Sequence, residues 1–406
     1  MAVLSRMGRD RDIGRTDDVR PRVLLVGPVF PQGGGVGMVT RSLLESGLSE
    51  RFELTRLDIG RTDAGSGKET TLAPINFYYF LCQGLRLFFT LLLKPPAILH
   101  QPVTDRIAFW KEAAFMLLAR AFGVRVIGHV HGCMLEALLC QGQPWKKSLV
   151  RAALKIPHQL VVLTEYWRTL LLKEVSPSLN IATVPNTVDP LIGEAMERPA
   201  TGTEDKGFMV LFIGSLGTRK GLLDALQAVP IVQAEVPDAE FVFAGRVELG
   251  QEKALVEAAC EEAMSHGHVR FPGIVTGDEK LALFSQASIM ILPSYNENLP
   301  VAVIEGMAMG LPVVTTPVAG VPDLIEDGID GFLIQSGDHR TLADRIIRLA
   351  HDQELRRAMG QAGISKVRRQ YSPQIFATRM ARIYDQLLVR GPAGDTLGAP
   401  PDKPAP

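Results

Sequence analysis

Ile289-Met290-Ile291-Leu292-Pro293-Ser294-Tyr295-Asn296-Glu297-Asn298-Leu299-Pro300 is the stretch on which the fold turns. Four consecutive apolar residues have the length of a buried strand. Pro293 and Ser294 end it, and Asn298 with Pro300 mark the start of a helix that runs to Met309. Pro312–Thr315 is the next strand. Strand, loop, helix and strand in this order predict one unit of a parallel sheet covered on both faces.

The alternation continues outward. Phe208–Ile213, Glu240–Gly245 and Val269–Phe271 read as strands, with helices over Gly221–Val229, Lys253–His266, Asp278–Gln286 and Thr341–His351. It halts at Pro185–Lys206, where Pro185, Pro190, Gly193, Pro199 and Gly202 mark a connection. Before that break it is already present: strands at Pro21–Pro28, Ala97–Gln101, Arg125–His131 and Gln159–Leu163, and helices over Met38–Leu48, Arg106–Phe122 and onward from Glu165. Two such series in 406 residues suit two domains better than one. The expected class is α/β, two Rossmann-like domains whose parallel sheets face each other across a cleft lined by strand carboxyl ends. The expected boundaries are a flexible tail (1–20), a first domain (21–190), a linker (191–205), a second domain (206–371), a helix crossing back to the first domain (372–390) and a Pro/Gly/Ala-rich disordered tail (391–406).

A content of 46% hydrophobic and 21% charged residues is that of a globular chain. The net charge of −1 hides an asymmetry: residues 1–200 carry 24 Lys and Arg against 18 Asp and Glu, the remainder 19 against 26. No dense Lys/Arg stripe interleaved with aromatics appears, so nucleic acid is not an expected partner. Cys82, Cys133, Cys140 and Cys260 form no CxxC pair and have no His at metal spacing, which fits reduced thiols in a cytoplasmic protein. Met1–Arg22 lacks an apolar run, so secretion is not expected. The single Asp-x-Asp spacing, Asp10-Arg11-Asp12, follows no strand, and neither metal nor cofactor is expected.

Glu297 falls in the loop after a strand and Glu305 in the first turns of the next helix. Two carboxylates there can accept hydrogen bonds from sugar and ribose hydroxyls, while the free N–H groups of Asn298, Leu299 and Val301 offer a site for phosphate oxygens. From spacing alone, a solvated loop Glu and a dipole-stabilised helix Glu fit equally well. Gly214-Ser215-Leu216-Gly217-Thr218-Arg219-Lys220-Gly221 joins a strand to a helix. Arg219 and Lys220 at a helix start oppose the helix dipole, so a diphosphate explains them better than solubility does. Gly128-His129-Val130-His131-Gly132 ends a first-domain strand, which aims its side chains at the cleft. His131 is the candidate there; an imidazole so placed can donate to a hydroxyl or help an acceptor lose its proton. His129 alternates with it, as a supporting partner or a core residue.

These segments together resemble retaining glycosyltransferase family 4. Glu297–Glu305 with Pro293-Ser294 and Gly310-Leu311-Pro312-Val313-Val314 is similar to its E-x7-E region, as are Val318-Ala319-Gly320-Val321-Pro322 and Asp327-Gly328-Ile329-Asp330-Gly331. Gly214–Gly221 looks like its diphosphate loop, Val184-Pro185-Asn186-Thr187-Val188-Asp189 its inter-domain strand ending, and Gly33–Gly37 its first glycine loop. The resemblance implies the GT-B fold, a nucleotide-diphosphate sugar held mostly by the second domain, and transfer with retention to an acceptor hydroxyl. It also implies site roles: Glu305 on the ribose, Glu297 and His131 on the donor sugar, Arg219 and Lys220 on the diphosphate, and Gly34 and Gly35 approaching from the first domain. Ser215 departs from the pattern, because many members have Arg there. An NDP-sugar epimerase of similar shape and a catalytically silent partner in polysaccharide assembly are the alternatives.

Leu72–Lys94 is strongly apolar but interrupted by Arg86, and neither side of that residue reaches the roughly 18 residues of a membrane span. A buried domain helix and an interfacial helix lying on lipid both fit. With Lys146, Lys147, Arg151 and Lys155 it hints at a glycan or glycolipid acceptor and at peripheral contact with the inner face of an anionic cytoplasmic membrane.

Overall fold

The computed structural model describes residues 20–28, 34–59, 74–141, 143–197, 207–248, 252–265 and 267–389. The tail containing Asp10–Asp12, the residue Gly33, the second half of the expected linker and the C-terminal tail lie outside them. The first sheet contains β1 (Arg22–Gly27), β2 (Glu53–Asp58), β3 (Ile98–Val103), β4 (Arg125–Val130), β5 (Gln159–Val162) and β6 (Ile181–Thr183). The second contains β7 (Met209–Ile213), β8 (Glu240–Ala244), β9 (Val269–Gly273), β10 (Ile289–Leu292), β11 (Val313–Thr315) and β12 (Gly331–Leu333). Their orders are β2-β1-β3-β4-β5-β6 and β12-β11-β10-β7-β8-β9, and the pairings are parallel.

Strand order explains where a ligand can sit. From β7 the chain proceeds outward to β8 and β9, then returns to lay β10 on the other side of β7. The loops after β7 and β10 therefore leave the sheet in opposite directions and open a crevice between them. The first sheet has the same switch between β1 and β3. Central strands β3, β7 and β10 are buried throughout, β7 and β10 as unbroken apolar runs and β3 with His100 and Gln101 inside it, whereas edge strands β2 and β9 alternate in exposure.

Each face of the first sheet has its own core. Leu24 and Val26 of β1 point to one, together with Leu87, Phe115, Val150 and Leu154. Val23 and Leu25 point to the other, where Phe376, Met380, Ile383, Tyr384 and Leu387 of the last helix, Pro373–Val389, pack against them. The last helix thus covers a face of the first domain. Residues 191–196, expected in a linker, correct that reading: Pro190–Met196 is a helix capped by the Asp189 carboxylate, and Ile192 and Met196 belong to the second-domain core. Pro190 and Gly193 looked like loop composition, yet Pro at the first helical position is a favoured start.

The helix Pro74–Leu93 is long and apolar enough, by length and composition alone, to cross a membrane, and it is buried on one side only. Leu87 and Leu91 pack inward, while Phe77, Tyr78, Leu81, Leu85, Phe89 and Leu92 are exposed along one stripe. Helix Pro144–Leu154, with the basic stretch, packs on the same core and so flanks the same face of the sheet.

Phe376 is 2% exposed. Phe376→Ala is expected to cost about 3–5 kcal/mol of first-domain stability, read as a lower urea midpoint. An unchanged midpoint would mean that the last helix contributes nothing to that core.

Candidate functional site

The loops after β7 and β10 meet through their charges. Lys220 Nζ lies 2.5 Å from Glu297 Oε1, and the Ser294 hydroxyl donates to the same oxygen at 2.8 Å. Arg219 donates to the Asn296 carbonyl at 3.2 Å, and its own carbonyl accepts from Tyr295 N–H at 2.9 Å. The two loops can approach this closely because Gly221 has φ 72° and no Cβ; a Cβ would stand 1.9 Å from the Pro293 carbonyl oxygen. Arg219, Lys220 and Glu297 are thus brought together at one switch point.

Glu248, four residues beyond the end of β8, joins them and was missed in the sequence. Its Oε1 accepts from Ser215 Oγ at 2.5 Å and from Arg219 Nη2 at 2.9 Å. Burial pushes this carboxyl up, but the Ser215 hydroxyl and the Arg219 guanidinium outweigh it and hold the group below its ordinary value. The Ser215 hydroxyl thus orients the carboxylate that holds Arg219.

Glu305 is 2% exposed and sits apart from Glu297 in its contacts. Its Oε1 is bound by Lys280 Nζ at 2.6 Å and by the Asp189 N–H at 3.4 Å. Burial raises its pKa, opposed by Lys280. Asp189 also receives Arg41 at 3.5 Å, so one carboxylate links the second domain to the inter-domain strand ending and, through it, to the first domain. Lys280 had no motif to announce it.

Asn298 Nδ2 donates to the Val130 carbonyl at 3.2 Å and Asn186 Nδ2 to the Leu299 carbonyl at 2.8 Å, clasping the β10 loop to the end of β4. His131 follows Val130, so the clasp sets it beside this loop. The Asn298 and Leu299 N–H groups have no acceptor among the described residues. Gly34 and Gly35 open the helix Gly34–Glu45, and the space a Gly35 side chain would occupy is empty.

Behind His131, His129 and His100 are 1% and 3% exposed. Burial, with repulsion from His131, lowers His100 to about 3 and His129 well below its ordinary value; burial lowers His131 to about 4. All three are neutral at pH 7. Among the described residues no group of three His, Cys, Asp or Glu side chains has metal-binding geometry.

Residues 194–366 match the family model of glycosyl transferases group 1. The N-acetyl-alpha-D-glucosaminyl L-malate synthase of Bacillus anthracis is 26% identical over 274 residues, 65% of this chain and 68% of that one. The amylovoran biosynthesis glycosyltransferase AmsK of Erwinia amylovora is 29% identical over 184 residues, 44% of each chain. Matches to most curated relatives span about half of their length. The structure of Anabaena HepE in complex with UDP-glucose superposes with a TM-score of 0.67 at 14% identity, covering 90% of this chain and 99% of that one. The chain has the two-domain GT-B fold of these structures, and its second domain is similar to glycosyl transferases group 1.

The buried imidazoles give stability a pH dependence. The unfolded chain protonates His100 and His129 as pH falls through about 6.5, whereas the folded chain resists until far lower. Their contribution is therefore complete above about pH 7 and is lost on acidification, by about 1.4 kcal/mol per pH unit for each imidazole. Urea titrations between about pH 6 and 4.5 are expected to show His129→Gln with a shallower dependence than the wild type. Equal slopes would mean that His129 protonates freely in the folded state.

Proposed function

We propose that the chain is a retaining, metal-independent glycosyltransferase that moves a sugar, a hexosyl or related unit, from a nucleotide-diphosphate donor to an acceptor hydroxyl. The observation that carries this reading is the meeting of Arg219, Lys220 and Glu297 at the β7/β10 switch point, with His131 clasped beside them. Two cations at such a crevice suit a leaving diphosphate. As the anomeric carbon–oxygen bond breaks, its electron pair passes to the phosphate oxygen, and the acceptor oxygen bonds to the carbon from the same face. Arg219, Lys220 and the Asn298 and Leu299 N–H groups stabilise the departing charge, so preorganised electrostatics does most of the work. The acceptor proton leaves on the diphosphate.

Lys220 must exchange a carboxylate for a phosphate as donor enters, which releases Glu297 to accept from sugar hydroxyls. Glu305, held from one side by Lys280 and the Asp189 N–H, presents its second oxygen to the ribose. Gly35 leaves room for the donor from the first domain. No cofactor takes part in this scheme. HepE, solved with UDP-glucose, makes a uridine donor the first to try.

The acceptor we infer is a glycan or glycolipid, reached at the surface of an anionic membrane. The exposed stripe Phe77, Tyr78, Leu81, Leu85, Phe89 and Leu92 supports this, as do Trp145 and Lys146 on the flanking helix. Arg151 serves Glu174 and Lys147 the Cys140 carbonyl, so Lys146 and Lys155 are the better-placed cations of the basic stretch.

Glu305→Ala is expected to weaken donor binding by about 1–3 kcal/mol, and Glu297→Ala to lower kcat far more than nucleotide affinity. Full activity in both folded variants would contradict the assignment, and donor conversion without an acceptor would indicate an epimerase. Activity is expected to persist in EDTA; loss restored by Mg²⁺ would assign the leaving-group charge to a metal. The wild type is expected to pellet with anionic vesicles at low salt, and Phe77→Ser with Leu81→Ser and Leu85→Ser to stay in solution. A wild type that never pellets would rule out membrane contact.

A further inference from the structure

A row of buried polar rings runs from the last helix toward the cleft. Tyr384 Oη lies 2.7 Å from His100 Nδ1, His100 Nε2 lies 3.2 Å from His129 Nδ1, and the rings of His129 and His131 have centroids 4.2 Å apart. Tyr384 is fully buried, and burial drives its hydroxyl pKa far up, so the phenol keeps its proton. Among the described residues that proton has one acceptor, His100 Nδ1. A buried O–H without an acceptor is costly, so Tyr384 is the donor. A neutral imidazole that accepts at Nδ1 carries its proton at Nε2. His100 Nε2–H must then donate to His129 Nδ1, and His129 in turn carries its proton at Nε2. That last N–H is buried and has no partner among the described residues.

His100, His129 and His131 line a small cavity of about 10 Å³ together with Val26, Val39 and Thr40. The Thr40 hydroxyl donates to the Val36 carbonyl at 3.1 Å, so its oxygen remains free to accept. A cavity of this size holds one water when two to four polar groups meet there, and three do. No carboxylate or cation lines it.

We propose that the cavity holds one ordered water and that Tyr384 and His100 are positioning residues which orient it through His129. The water accepts from His129 Nε2–H and donates to Thr40 Oγ1 and to the inward ring nitrogen of His131. His131 is thereby held in the tautomer whose N–H is on the cleft side. In that form it donates to a donor-sugar hydroxyl and does not take the acceptor's proton. The last step rests on the substrate-facing reading of His131; the tautomers themselves are readable without substrate.

Long-range proton–nitrogen spectra of the full-length chain, labelled with nitrogen-15 in histidine, test this. His100 and His129 are expected as neutral Nε2–H tautomers and His131 as a single tautomer. Tyr384→Phe removes the donor that polarises the row, so His100 and His129 are expected to populate both tautomers. In that variant kcat should fall roughly tenfold, as for one misdirected hydrogen bond, with UDP affinity unchanged. Adding His100→Gln, whose amide can donate to His129, to Tyr384→Phe is expected to restore the Nε2–H form of His129. A wild-type His129 protonated at Nδ1, or a Tyr384→Phe spectrum identical to the wild type, would overturn the proposal. Tautomers that shift as expected with turnover unchanged would leave the row standing and remove His131 from the sugar site.

Discussion

The ion pair between Lys220 and Glu297 is the contact on which the site depends. It bridges two loops that leave their sheet in opposite directions, and its side chains are 16% and 7% exposed. A pair so enclosed contributes little net stability, because desolvation offsets attraction, but breaking it leaves a buried charge and is costly. Its value is positional. It fixes a cation and a carboxylate side by side at the switch point, between the two loops. Arg219 is likewise held by Glu248, in a more exposed pair, so both cations have fixed positions at the crevice.

The two domains are tied by contacts of the same economy. Asn298 and Asn186 reach backbone carbonyls across the cleft, and Glu305 receives the Asp189 N–H on the crossing strand end. The last helix completes the first domain's core and carries Tyr384 to His100. A change in domain position would therefore act on Glu305 and the β10 loop together.

Much of the fold was legible in the sequence because strands such as β7 and β10 are buried throughout and so appear as unbroken apolar runs. The loops after β7 and β10 stood out since a strand precedes each, with cations after β7 that oppose the helix dipole and two carboxylates after β10. Edge strand β2 escaped notice because Glu53-Leu54-Thr55-Arg56-Leu57-Asp58 is half solvated. Glu248, Lys280 and His100 were illegible for a different reason: each finds its partner 25 to 284 residues away, and no local pattern encodes such a pairing. The apolar helix Pro74–Leu93 shows the limit of periodicity. Its spacing suits a core, a lipid surface or both, and the exposed stripe appears only when Leu87 and Leu91 are seen to face inward.

The central claim is that Arg219 and Lys220 bind the diphosphate of a sugar nucleotide. Isothermal titration of the wild type and the Arg219→Ala, Lys220→Ala double variant with UDP, GDP and ADP, in EDTA, tests it most directly. The account predicts that at least one nucleotide binds the wild type and that the double variant binds it at least roughly a hundredfold more weakly, as for two charge-assisted hydrogen bonds lost. A folded double variant that binds the same nucleotide with unchanged affinity would contradict it.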